Sequence, residues 1–330
     1  MQKIATLLLC LALGMNACKE KPKTEETQAA KPSFAKNFNA DSAYQYIAKQ
    51  VAFGPRVPNT PAHQKCGDYM VSELKKNGFE VVEQCFSPKT FYGKTLKARN
   101  IIGSFNPAAT KRILLAAHWD ARPVSDKDSL VKNKTFDAAN DGGSGVGILL
   151  EVARAIHAAQ TKPNVGVDII FFDAEDDGER EDQATVNLPK DLTTWWCLGS
   201  QYWAANLHKP GYSAYYGILL DMAGAKNATF PKEGYSVQLA GSIVNTIWAT
   251  ASSLGHAKYF IDAEGGGITD DHVPVNTIAK IPMVDILHQE MNSARTFGAY
   301  HHTQADNMKV IDKETLRAVG ETVLQTLYNE

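Results

Sequence analysis

The sequence predicts an α/β fold: a single three-layer α/β/α domain around a central mixed, mostly parallel sheet. Three observations carry that expectation. Short apolar runs alternate with longer amphipathic stretches, the pattern of strands joined by crossover helices. The run Val167-Asp168-Ile169-Ile170-Phe171-Phe172 is apolar at nearly every residue, as a strand covered on both faces must be. It ends abruptly in Asp173-Ala174-Glu175-Asp176, and folds of this class place their sites at strand carboxyl ends.

The chain starts with the basic Met1-Gln2-Lys3 and an apolar stretch over 4–15 that is too short to span a bilayer. This predicts an export signal over 1–17. Gly14-Met15-Asn16-Ala17-Cys18 resembles a bacterial lipobox, so Cys18 is expected to become a lipidated N-terminus. The protein is then expected to be a periplasmic, membrane-anchored lipoprotein of a Gram-negative bacterium. Residues 18–38, rich in Lys, Glu, Thr, Pro and Ala, have no apolar face to bury and read as a flexible tether. The catalytic domain is expected over 39–330. Cleavage before Cys18 leaves 313 residues (330 − 17) with no second linker or internal repeat, which favours one large domain.

Within that domain, helices are predicted over 41–51 and 61–77, the second ending at Gly78. Strands follow over 80–85, 98–104 and 112–117. A helix over 145–159 carries Leu149, Val152 and Ile156 on one side and leads into the central strand, 167–172. Beyond it come a short helix over 201–207, a strand over 215–220, a helix over 242–254, a strand over 283–287 and a closing helix over 313–328.

An apolar fraction of 44% supports a substantial core, and a formal net charge of −2 without a basic stripe argues against nucleic acid as a partner. Of the five cysteines, Cys66 and Cys85 are the pair best placed for a disulfide; the alternative is free, buried thiols. Their spacing is not that of a zinc cluster.

The strand exits carry the chemistry. The strand over 112–117 ends in His118-Trp119-Asp120, Ala139-Asn140-Asp141-Gly142 opens the next helix, and the strand over 215–220 ends in Asp221. Thr269-Asp270-Asp271-His272 and Tyr300-His301-His302-Thr303 add acids and imidazoles from later loops. Imidazole nitrogen with carboxylate oxygen is the donor set of a catalytic zinc. Glu175 and Asp176 are neighbours in an extended backbone and point to opposite sides, so one can ligate while the other moves protons. Asp141 alone would read as a helix cap. The glycine turn lacks the Lys-Ser/Thr of a phosphate loop, and no Gly-x-Ser-x-Gly is present.

In their order, His118-x-Asp120, Ala139-Asn140-Asp141-Gly142, Asp173-Ala174-Glu175-Asp176, Leu220-Asp221 and His302-Thr303 resemble the zinc aminopeptidase-like (M28) family, over roughly residues 40 to 330. That family contains aminopeptidases and the animal-type glutaminyl cyclases. The resemblance implies one zinc per chain on Asp141, Asp176 and His302, with Glu175 as general acid/base. In the aminopeptidases a second zinc uses the positions of His118, Asp141 and Asp221. Asp270 before Asp271-His272, and the stretch Trp195-Trp196-Cys197-Leu198-Gly199-Ser200, resemble the cyclases instead. The chain departs from the family at Asp176, where aminopeptidases use Glu, and at His301, where animal cyclases have Trp.

The implied activity is conversion of N-terminal glutamine, on peptides and exported proteins, to pyroglutamate with loss of ammonia. Asp221 and Asp270 would share a proton beside Glu175. Trp195, Phe297 and His301 are the expected pocket residues, with Trp196 a further wall candidate, and Asp120 is expected to orient His118. The long polar loop over 177–194 reads as a lid or rim. A two-zinc aminopeptidase and a lipoprotein that only binds peptide N-termini are the alternatives.

Overall fold

The computed structural model describes residues 33–180, 183–291 and 293–330. Strands β1 (Glu80–Phe86) and β2 (Ala98–Phe105) pair antiparallel, while β3 (Arg112–His118), β4 (Gly166–Phe172) and β5 (Tyr216–Asp221) lie parallel, with β3 in the middle. Two short strands, β6 (Phe230–Lys232) and β7 (Phe260–Glu264), form a separate parallel pair. The last strand, β8 (Met283–Leu287), runs parallel to β5. The main sheet therefore has the order β1-β2-β4-β3-β5-β8, and β2 meets β4 antiparallel, which makes it mixed.

Strand alternation creates the layers. On one face Ile113, Leu115, Ala117, Ile169, Phe171, Ile218 and Leu220 pack against α1 (Ala40–Val51), α2 (Pro61–Lys76), α3 (Gly143–Ala158), α5 (Gly234–Ser253) and α7 (Lys313–Asn329). Leu114, Ala116, Ile170, Phe172 and Leu219 face the other way, onto Trp203 of α4 (Leu198–Ala205) and Val275 of α6 (His272–Thr277). Local signals set the helix starts. The Asn39 side chain accepts the Ser42 N–H at α1, Thr60 accepts from His63 at α2 with Pro61 in first position, and Asp312 accepts from Thr315 at α7.

Several expectations need adjustment. Packed structure begins before Asn39: Phe34 stacks on Tyr328 with centroids 4.0 Å apart, Gln325 Oε1 accepts the N–H groups of Phe34 and Ala35, and Phe38 is buried. The folded part of the chain therefore begins ahead of the expected boundary at residue 39. The expected export signal, Cys18 and the expected tether up to residue 32 lie outside the described residues. Helix α5 begins at Gly234 rather than 242, with a kink at Ala240 (φ −144°) dividing it. Strands β6 and β7 and helix α6 are additional elements. Cys66 and Cys85 are free, Cys66 buried on α2 and Cys85 exposed on β1.

Candidate metal centre and active cavity

The carboxyl ends of β3 and β4 are laced together beyond their last ladder bonds. Trp119 N–H donates to Phe172 O (3.0 Å), and the two oxygens of Asp120 accept the N–H groups of Glu175 (3.0 Å) and Asp176 (3.2 Å). Asp120 was expected to orient His118, yet its oxygen lies 3.6 Å from His118 Nδ1 and its closer partners are these amides. Asp141 is held from behind by Asp306, whose oxygens accept the N–H groups of Asn140 (2.8 Å) and Asp141 (3.0 Å). Arg56, fully buried, donates to the carbonyls of Trp119, Asp137, Ala138 and Asp141 and pins the loop between β3 and α3. Gly142 at the helix entry has φ 72°, and a Cβ there would sit 2.7 Å from His118 Cε1. Only glycine fits.

These supports bring the three expected zinc ligands together. His302 Nε2 lies 3.1 Å from Asp176 Oδ1 and 3.5 Å from Asp141 Oδ2, and both of those buried oxygens lack a hydrogen-bond partner. The other His302 nitrogen faces Asp126 Oδ1 at 3.7 Å. Burial lowers the His302 pKa to about 3, which leaves a neutral imidazole with a lone pair to give. Burial, together with the Asp141 charge, raises Asp176 well above a normal carboxylate. Orphaned oxygens beside a neutral imidazole are a donor set that zinc fits, and a divalent cation would offset the carboxylate repulsion.

Asp141 also faces the other way. Its Oδ1 is 3.0 Å from His118 Nε2, which is 3.2 Å from Asp221 Oδ1. His118, Asp141 and Asp221 place ligand atoms within 4.8 Å of one another, as do Asp141, His301 and His302. His301, expected as a pocket residue, thus also stands at the edge of the metal centre, 3.8 Å from Asp141 Oδ2.

Glu175, Asp221 and Asp270 all line one cavity of about 400 Å³. Burial drives the Glu175 pKa well above its usual value, with the charges of Asp176, Asp270 and Asp271 adding to it. Burial and the Asp270 charge raise Asp221 to about 7 despite the neighbouring His118. Carboxyl groups held in this way can carry a proton near neutral pH.

Phe297 and His301 line the cavity, and their rings meet edge to face at 4.5 Å. Trp195 does not line it. That ring is buried, donates Nε1–H to Val186 O and meets Phe91 edge-on at 6.0 Å. Trp196 takes the wall position, parallel to the His302 ring (6.0 Å, 2°) with the Arg122 guanidinium 4.6 Å from its own centroid. Arg122 also donates its backbone N–H to Asp176 Oδ2 (3.0 Å). Of the 177–194 loop, Thr194 reaches the cavity, while Asp177 and Glu179 are buried rather than solvated. Arg56 and Asp306 had no signal in the sequence, since each works through backbone groups far away in the chain, and Arg122 had none because it meets Asp126 nearby but Asp176 and Trp196 only through the fold.

Fold and site together define a metal-dependent α/β enzyme. The model of peptidase family M28 matches residues 100–327, and the chain belongs to this zinc-dependent family. Among solved structures it is similar to a Zn-dependent exopeptidase from Parabacteroides distasonis, at 55% identity and TM-score 0.84, covering 89% of this chain and 99% of that one. It is also similar to the glutaminyl cyclase of Tannerella forsythia, at 52% identity and TM-score 0.84, with the same coverage of 89% and 99%. Over 288 residues it is 26% identical to the glutaminyl-peptide cyclotransferase of Bothrops jararaca, covering 79% of this chain and 73% of that protein.

Proposed function

We propose that this chain is a glutaminyl-peptide cyclotransferase that closes the N-terminal glutamine of peptides and exported proteins to pyroglutamate. The observation that carries the reading is a cavity carboxylate beyond the expected metal ligands, Asp270, set with Glu175 and Asp221 in a chain similar to a glutaminyl cyclase along 89% of its length. Asp141, Asp176 and His302 would hold one zinc. Bound there, it supplies Lewis acidity toward the side-chain amide carbonyl.

The rest is done by the chain. The substrate α-amine attacks its own side-chain carbonyl carbon, a C–N bond forms, and the bond to the amide nitrogen breaks. Glu175 takes the proton from the amine and returns it to the departing nitrogen, which leaves as ammonia; no water is consumed. Asp221 and Asp270 hold the proton and charge balance beside it. Trp196, Phe297 and His301 confine the glutamine side chain, and because attack is intramolecular, holding one reactive conformer contributes much of the rate.

A second reading has its own support. His118, Asp141 and Asp221 would serve a second zinc and an aminopeptidase. A mass spectrum of a glutamine-leading peptide after incubation separates them: ammonia loss above background supports the cyclase, and removal of the first residue supports the peptidase. Asp270→Ala should abolish ammonia release; an unchanged rate would remove the residue that favours cyclisation.

The enzyme is further proposed to be periplasmic and lipid-anchored through Cys18, on the strength of the basic start, the apolar 4–15 stretch and the lipobox-like segment. Release of Cys18→Ala into the soluble fraction checks the anchor.

A further inference from the structure

Cys197 makes contacts that neither metal binding nor glutamine binding uses. It is fully buried at the entry to α4, in the left-handed region at φ 57°, where a residue other than glycine is strained. Its N–H donates to Glu175 O (2.9 Å), and Leu198 N–H donates to Ala174 O (3.0 Å). The strained turn is thereby fastened to the strand end that carries Glu175. The thiol then reaches the same residue's side chain: Sγ lies 3.3 Å from Glu175 Oε1. Sγ, a Glu175 oxygen and an Asp270 oxygen lie within 4.8 Å of one another.

We propose that Cys197 is a positioning residue for Glu175, its S–H donating to Oε1 so that Oε2 is the oxygen left to exchange the proton. Burial and the neighbouring carboxylates hold the thiol pKa well above normal, which keeps the S–H donor in place. Oε2, by contrast, faces His118 Nδ1 at 4.0 Å, beyond hydrogen-bond range. One oxygen is anchored by the thiol, and its twin faces the imidazole without a hydrogen bond to it. A thiol is a weak donor, so it orients the carboxylate without stabilising its charge as strongly as a hydroxyl or an amide would.

The inference rests on Glu175 acting as proton carrier, a role shared by the cyclase and peptidase readings. It is therefore tested on whichever turnover the zinc-loaded wild type shows, ammonia release or N-terminal hydrolysis; an enzyme with neither overturns both function and inference. Cys197→Ala should lower kcat about three- to tenfold with KM within about twofold, the loss expected for one ordinary hydrogen bond. Cys197→Ser, which keeps a donor, should restore most of kcat. Cys197→Gly, which suits φ 57° and lacks the donor, should behave like the alanine variant and guards against misfolding as the cause. Wild-type kcat in the alanine and glycine variants would overturn the proposal. So would a serine variant no better than alanine, or losses accompanied by raised KM and lost zinc, since these mark a packing role.

Discussion

Oδ1 of Asp176 faces Nε2 of His302 across 3.1 Å and yet takes no hydrogen bond. A buried carboxylate oxygen left in this state costs about 1–3 kcal/mol or more unless something positive meets it. With Asp141 Oδ2 similarly orphaned 3.5 Å from the same nitrogen, the three atoms form a donor set that a divalent cation fits.

Removing the metal with a chelator should therefore abolish turnover, and zinc should restore it. His302→Ala should weaken zinc binding by more than the roughly 10–100-fold seen when an outer-sphere partner is lost. Equilibrium dialysis with metal analysis checks this; unchanged zinc content in the variant would move the site elsewhere.

Glu175→Gln keeps the shape of the side chain and removes its ability to take a proton. Turnover should fall by about 10²–10⁴-fold while the zinc content stays at the wild-type level. Single-turnover kinetics on the zinc-loaded variant is the measurement, and surviving activity would assign the proton transfer to another carboxylate.

The two tryptophans should separate cleanly. Trp196→Ala removes a cavity wall and should raise KM several-fold. Trp195→Ala, whose ring is buried outside the cavity, should lower stability by about 3–5 kcal/mol with little effect on KM. Urea denaturation beside steady-state kinetics checks both.

Arg56→Met should be among the more damaging single changes far from substrate. It leaves the carbonyls of Trp119, Asp137 and Ala138 without their buried donor, at a cost of about 3 kcal/mol or more. Because those carbonyls flank Asp120 and Asp141, zinc affinity should fall with it, as metal titration of the folded variant would show.

The sheet was readable because its strands carry their burial in their own residues. β3 and β4 are buried at every position, and the acids and the histidine at their ends stand out against the apolar runs. β6, β7 and α6 are too short for a period to show, β6 contains Pro231, and Gly234 and the kink at Ala240 disguise the start of α5. The strand exits and adjoining loops offered more acids and imidazoles than one metal needs, so Asp141, Asp176 and His302 were singled out as a set by the family resemblance. The choice between Trp195 and Trp196 was not legible, because two adjacent residues in an irregular loop offer no period that tells which ring faces inward. Arg56 and Asp306 escaped for a related reason: each meets backbone groups, and those have no sequence signature.

The cavity draws its walls and ligands from loops after β3, β4 and β5, before α6 and before α7. Asp141 and His302 come from opposite halves of the chain, so neither half alone holds a complete site. Metal retention is consequently an all-or-none report on the assembled sheet. A chain divided within the 177–194 loop would recover zinc only when its two pieces reassociate, which makes the enzyme a natural candidate for a split-protein complementation assay.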